Sequence, residues 1–204
     1  MITDQKMRDS SMENVTDKAK EKQRLRSLAA AERDAMSEKE HLKKSDLIAG
    51  WIMTLPEWED CKILYTYVSM GNEPYTPALI DAALKAGKRV CVPRIFGKEM
   101  RFIEIHSTDD LHPGTWGIME PDDSGVYEDI PGLVIVPGVV FGEDFVRVGY
   151  GAGYYDRFFE GHTQGDGWFL AAVCYEFQMQ PTLPAEEFDV YMDAVITENR
   201  VIRR

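Results

Sequence analysis

The stretch Arg147-Val148-Gly149-Tyr150-Gly151-Ala152-Gly153-Tyr154-Tyr155-Asp156-Arg157 concentrates residue types that bind and steer a charged group. Its three alternate glycines follow apolar strand-like residues and lead into a helix-like run over 154–159. Without Cβ atoms, glycines permit unusual φ/ψ angles and close ligand approach, and backbone N–H groups at such a junction favour a phosphate. Two well-known nucleotide motifs are excluded. Tyr154 stands where G-x-G-x-x-G needs its last glycine, and no G-K-[ST] ending follows. By itself the loop fits either a phosphate cradle or a tight structural turn. The adjacent Arg147, Tyr154, Tyr155, Asp156 and Arg157 favour the cradle.

Such a loop needs a scaffold, and the flanking pattern supplies one. Residues 19–34 favour helix, and Ser37 with Glu40 forms an S-x-x-E capping box for a second helix that buries Leu47, Ile48, Trp51 and Ile52. A strand is expected over 63–68, then a helix with Thr76 as N-cap and Pro77 at its first position, ended by Gly87. A second strand over 89–92 stops at Pro93 and completes a βαβ unit. Further strands are expected over 100–105 near an edge, 133–136 at the centre, 169–173 and 194–197. Strands alternating with helices predict an α/β fold, a Rossmann-like three-layer α/β/α with a mostly parallel central sheet. Residues 1–18 have no helical apolar stripe and read as a flexible tail, leaving 19–204 as a single domain.

Composition narrows the partners. A formal net charge of −12 argues against nucleic acid and anionic membranes, since both need a positive protein surface. An anionic ligand would require cations gathered locally. No apolar run approaches a membrane span and the N-terminus has no signal-peptide core, so a cytoplasmic location is expected. Cys61, Cys91 and Cys174 lack metal-ligand spacing and read as reduced thiols. A monomer is the default expectation.

The glycine segment resembles the signature of the 5-formyltetrahydrofolate cyclo-ligases, also called methenyltetrahydrofolate synthetases. The resemblance continues in chain order. Lys22-Gln23-Arg24-Leu25-Arg26 is similar to the family's K-x-x-L-R, Tyr67-Val68-Ser69-Met70-Gly71-Asn72-Glu73 to its substrate loop, and Val92-Pro93-Arg94 to its V/I-P-R/K turn. Trp116-Gly117-Ile118-Met119-Glu120-Pro121, Val134-Ile135-Val136-Pro137-Gly138 and the segment 189–193 also match, so the likeness covers residues 19–198.

The resemblance implies that Lys22 and Arg26 contact ATP phosphates, positions that would otherwise read as a solvated helix face. It implies that Arg147, Val148, Gly149, Tyr150, Gly151, Ala152, Gly153, Tyr154 and Tyr155 wrap the nucleotide, with 150–154 also facing the folate. Asp156 and Asp189 match Mg²⁺ positions; alone, the first reads as a helix N-terminal acid and the second as a loop acid. Val68 and Glu73 match folate contacts, and Met70 and Trp116 are expected along the same cleft. Glu73 suits the N–H donors of a pterin. Trp116 either stacks on a flat ring or packs in the core. Tyr150 and Ala152 stand where some relatives carry basic residues, which leaves the backbone donors in place.

The implied activity converts 5-formyltetrahydrofolate to 5,10-methenyltetrahydrofolate with ATP and Mg²⁺, through a phosphorylated formyl oxygen. Lys22, Arg26 and Arg147 would stabilise charge on the transferred group. Two alternatives remain open: a sugar-phosphate isomerase or acyl-CoA enzyme on a similar sheet, and a degenerate interaction or RNA-binding module. Retention of Lys22 and Arg26 counts against the first; Asp156 and the acidic charge count against the second. His41, His106, His112 and His162 carry no supporting motif and read as surface or structural residues.

Overall fold

The computed structural model describes residues 2–122, 130–161 and 164–204, with backbone alone at 2–16 and 116. The elements in order are α1 (Ile2–Asp34), α2 (Glu38–Met53), α3 (Pro56–Asp60), β1 (Ile63–Tyr65), α4 (Pro77–Lys85), β2 (Arg89–Phe96), β3 (Glu99–Ile105), β4 (Leu111–Pro113) and β5 (Met119–Pro121). They continue as β6 (Leu133–Val136), β7 (Val140–Gly142), β8 (Arg147–Val148), α5 (Tyr154–Phe158), β9 (Phe169–Val173), β10 (Met179–Gln180), β11 (Ala194–Ile196) and β12 (Val201–Arg203).

The apolar runs that predict strands assemble into one seven-stranded sheet, in the order β12-β11-β9-β6-β1-β2-β3. The five inner strands are parallel, and the edge strands β12 and β3 run antiparallel to their neighbours. Successive side chains point to opposite faces, so the period of two sorts them into two cores. Leu64, Val90, Val92, Leu133, Ile135, Ala171 and Val173 pack with Ile48, Ile52, Trp58, Leu79 and Ile80 of α2, α3 and α4. Ile63, Tyr65, Cys91, Val134, Val136, Leu170 and Ala172 pack with Phe159 and the partly buried Phe158 and Trp168 on the other face. Each fully buried aliphatic side chain is worth about 2 kcal/mol relative to exposure, which makes this double coverage the main support of the fold. The three-layer α/β expectation holds, with the second layer built largely from the short α5 and its flanking aromatics.

A three-stranded sheet, β10-β7-β8, carries the glycine loop. Leu25 and Ala29 of α1 pack on its Val139, Val140, Val146, Val148 and Leu183. This contact fixes the N-terminal helix against the loop that follows β8.

Four local expectations are corrected. The first helix begins at Ile2 instead of residue 19, and no Gly or Pro interrupts 2–34 to break it. On α2, Ile48 and Ile52 are buried together with His41 and Ser45, whereas Leu47 and Trp51 are 47% and 40% exposed. A stripe spaced by three and four residues leaves the intervening positions facing outward. The first strand ends at Tyr65, so 66–68 are buried loop; β2 runs through Pro93 to Phe96. Its pairing with β1 stops at Cys91 while pairing with β3 continues, so one edge is open at Pro93 and a missing N–H is tolerated there. The other strand expectations match to within a residue, and Ser37 Oγ accepts the Glu40 N–H at 3.3 Å as the α2 cap.

Candidate active site

Chain direction reverses across the sheet at β1 and β6: α4 carries the chain from β1 to β2 on one side, and β6 returns on the other. Open α/β sheets leave a crevice beyond the strand ends at such a point. Here the segments leaving β1, β2 and β6 meet α1 and the loop after β8 around a cavity of about 610 Å³. Its lining includes Lys22, Arg26, Val68, Met70, Glu73, Arg147, all of 148–156, and Asp189. Every sequence-expected site residue is thus on one wall or another of this cavity, apart from Trp116, whose side chain lies outside the described residues. His162 lies outside them as well.

The cations are held in place. Packing of Leu25 and Ala29 turns Lys22 and Arg26, one helical turn apart, toward the cavity. Lys22 Nζ donates to Glu186 Oε2 at 2.8 Å and to Asp189 Oδ2 at 2.9 Å. Burial opposes its charge, yet the bonds to Glu186 and Asp189 outweigh that and raise the ammonium above the usual lysine range. Arg26 Nε donates to the Gly149 carbonyl at 2.8 Å, tying α1 to the glycine loop. Arg147, 7% exposed, donates to Asp156 Oδ1 at 2.8 Å and to the Pro137 carbonyl at 3.3 Å, with its guanidinium over the Tyr155 ring.

The loop geometry accounts for two of its glycines. Gly151 and Gly153 adopt φ of 103° and 67°, in the left-handed region that side chains disfavour. Arg157 fixes the turn by donating to the Ala152 carbonyl at 2.8 Å and the Lys98 carbonyl at 3.0 Å. Because α5 has only five residues, backbone donors of the loop matter more to an anion than any helix dipole.

The loop after β1 supplies the other wall. Thr76 makes no side-chain helix cap; its Oγ1 donates to the Tyr67 carbonyl at 2.8 Å and accepts the Ser69 N–H at 2.9 Å. Glu73 is 8% exposed; Oε2 accepts the Met70 N–H at 2.9 Å, and Oε1 accepts the Tyr150 hydroxyl. Arg33 Nη1 donates to the same hydroxyl oxygen at 2.7 Å. Burial first, then the Glu73 charge, pushes the Tyr150 phenol well up, so it stays a neutral donor. His41 is buried and its Nε2 donates to the Glu73 carbonyl oxygen at 2.7 Å, a supporting role for which the sequence offered no motif.

Arg33, Glu120, Glu186 and Phe188 went unassigned from sequence. Glu120, Glu186 and Phe188 line the cavity, and Arg33 reaches it through Tyr150. Only Glu120 sat within a recognised motif. Asp156 and Asp189 present hard carboxylate oxygens of the kind that bind Mg²⁺ or Ca²⁺, with Glu186 adjacent to Asp189. Among the described residues no cluster of three or more His, Cys, Asp or Glu forms a cage, and no helix is long and apolar enough to cross a membrane.

Comparison with known proteins agrees with this architecture. A protein of Schizosaccharomyces pombe named "Probable 5-formyltetrahydrofolate cyclo-ligase" is 33% identical over 175 residues, covering 76% of this chain and 84% of its own. The 5-formyltetrahydrofolate cyclo-ligase of Mus musculus is 29% identical, covering 89% and 92%. The solved 5,10-methenyltetrahydrofolate synthetase of Aquifex aeolicus superposes with a TM-score of 0.78 at 31% identity, covering 89% of this chain and 92% of that one. With relatives and a solved structure similar over most of the chain, and with the family model spanning residues 18–198, the chain belongs to the 5-formyltetrahydrofolate cyclo-ligase family.

Proposed function

We propose that this protein is an enzyme that uses ATP to cyclise 5-formyltetrahydrofolate to 5,10-methenyltetrahydrofolate, releasing ADP and phosphate. The observation that carries this reading is that the glycine loop and the Glu73 loop share one cavity and are joined directly, Tyr150 to Glu73. A phosphate donor against the first and a flat N–H-bearing ring against the second would meet inside one enclosure.

The chemistry starts from a formamide oxygen, which is a poor leaving group. Transfer of the ATP γ-phosphoryl group breaks its bond to ADP and forms an O–P bond on the formyl oxygen, and the N5 lone pair completes an iminium phosphate. N10 attacks the formyl carbon and loses its proton, and phosphate leaves with the C–O electron pair. Lys22, Arg26 and Arg147 would hold the phosphates, and the backbone N–H groups of 149–153 would take the remaining oxygens. Lys22 and Arg147 start paired with Asp189 and Asp156, so an entering anion exchanges one negative partner for another. Asp156 and Asp189 would then hold Mg²⁺, which keeps several waters and needs no full protein cage. When bound, Mg²⁺ would neutralise phosphate charge. Tyr150 orients Glu73 toward the folate, with Val68 and Met70 lining that wall. The reading also carries a monomer and a reducing cytoplasmic setting, which suits the buried free thiols of Cys91 and Cys174.

The test is ultraviolet spectroscopy of the purified protein with 5-formyltetrahydrofolate and Mg²⁺, with and without ATP. The expected result is growth of the methenyl absorption band only with ATP, matched by ADP. Folded, ATP-binding protein that yields neither product would overturn the folate assignment.

A further inference from the structure

Glu120 is 7% exposed and lines the cavity, yet its Oε1 is buried without a hydrogen-bond partner among the described residues. A buried carboxylate oxygen left unsatisfied is destabilising, and such groups are rare in folded proteins. Its position is also built. β5 pairs with β4 through His112 and Glu120, and Gly114 in the intervening turn lies against the carboxylate. A Cβ at Gly114 would come within 2.5 Å of Glu120 Oε2 and 2.6 Å of Cδ, so a residue without a side chain is what admits the acid there. The turn is closed by the Gly114 N–H donating to the Ile118 carbonyl at 2.8 Å. Pro93, Ile95, Met100 and Ile118 contribute the apolar part of the same lining.

An unsatisfied acceptor among apolar walls calls for a ligand that is flat, largely apolar and equipped with N–H donors. Glu73 already commits one acceptor site on each carboxylate oxygen within the protein, to the Met70 N–H and the Tyr150 hydroxyl, so only its remaining lone pairs are open to a ring with several N–H donors. We propose that Glu120 is a second substrate-binding carboxylate, accepting an N–H donor from the fused ring of 5-formyltetrahydrofolate. This rests on the cyclo-ligase reading and deepens it: recognition of the ring is divided between one acid tied to the glycine loop and one with an oxygen that meets no partner among the described residues. Asp or Glu recognition of amino and ring N–H groups by charge-assisted bonds is strong enough to set affinity.

Steady-state kinetics of the purified Glu120→Ala and Glu120→Gln variants separate the possibilities, with calorimetric binding of 5-formyltetrahydrofolate as a second readout. Expected is a rise of roughly tenfold or more in KM and Kd for the folate with Glu120→Ala, a smaller rise with Glu120→Gln, and little change in KM for ATP. Gly114→Ala, which displaces the carboxylate without removing it, should raise the folate KM in the same direction. If both Glu120 variants fold and bind the folate as the wild type does, the assignment of Glu120 is wrong while the cyclo-ligase reading stands. A wild-type protein that makes no methenyl product removes both together. If neither Glu120 variant folds, an unchanged folate KM in Gly114→Ala overturns the assignment.

Discussion

Where the glycine loop meets α1, each buried cation faces a carboxylate: Lys22 meets Glu186 and Asp189, and Arg147 meets Asp156. Elsewhere in the same cavity, among the described residues, the buried acids form no direct ion pair. Glu73 accepts from a backbone N–H and a phenol, and Glu120 has an oxygen without a partner among the described residues. The difference is one of readiness. A paired cation costs less to bury than a lone one and can exchange its carboxylate for a phosphate, whereas an acid satisfied only by neutral donors, or by none, retains its capacity for an N–H ligand. One cavity therefore holds a region suited to anions and another suited to a donor-rich ring.

The contrast is broken most severely by removing half of a pair. Asp156→Ala strands the Arg147 guanidinium, which is almost wholly buried, so stability should fall by about 3 kcal/mol. For a chain of this size that is a melting temperature lower by roughly ten degrees. ATP-dependent turnover should fall at least ~100-fold, since the charge clamp on the transferred group is lost. Unchanged melting and turnover would show that the pair contributes neither to the fold nor to the site.

A milder change sharpens the other region. Tyr150→Phe removes the donor to Glu73 and the acceptor for Arg33 while keeping the ring. The folate KM should rise about tenfold, as expected for loss of a hydrogen bond to a charged group worth about 1.5 kcal/mol or more, with the ATP KM little affected. An equal rise in both constants would mean that Tyr150 serves the nucleotide as much as the folate.

The smallest effect concerns pH. Lys22 has its charged form favoured in the folded state, so the stability it contributes is fully present below the unfolded lysine pKa of ~10.4 and is lost as pH rises through the higher folded value. Thermal melting should thus show no pH dependence from Lys22 between neutral pH and about pH 10, where its contribution is full and constant, then decline beyond it. Lys22→Met should flatten that alkaline decline by a few degrees. If the wild type and the variant lose stability in parallel above that point, the ion pair is not the source.

Much of the scaffold was legible locally. The β-branched runs at 133–136 and 169–173 became strands as expected, and Gly87 ended α4 with φ of 74°. Misreadings came where a tertiary partner decided the outcome. Pro93 stays in a strand because β3 pairs with it on one edge, and Leu47 and Trp51 face outward because α2 is oriented by its burial of Ile48 and Ile52. Thr76, a plausible cap by residue type, ties the Glu73 loop instead.

From the sequence alone came the alternation that sorts each strand between two cores, the glycine loop, and the ordered motifs that mark the family, because these depend on neighbours within a few residues. The tertiary structure decided which distant groups meet. Lys22 and Asp189 are 167 positions apart, and Tyr150 and Glu73 are 77 apart, contacts that exist only once the crossovers bring α1 and the loops of two sheets around one crevice. The unpartnered oxygen of Glu120 belongs to the same class: a carboxylate reads identically in any sequence, and only packing determines whether its hydrogen bonds are filled from within the protein.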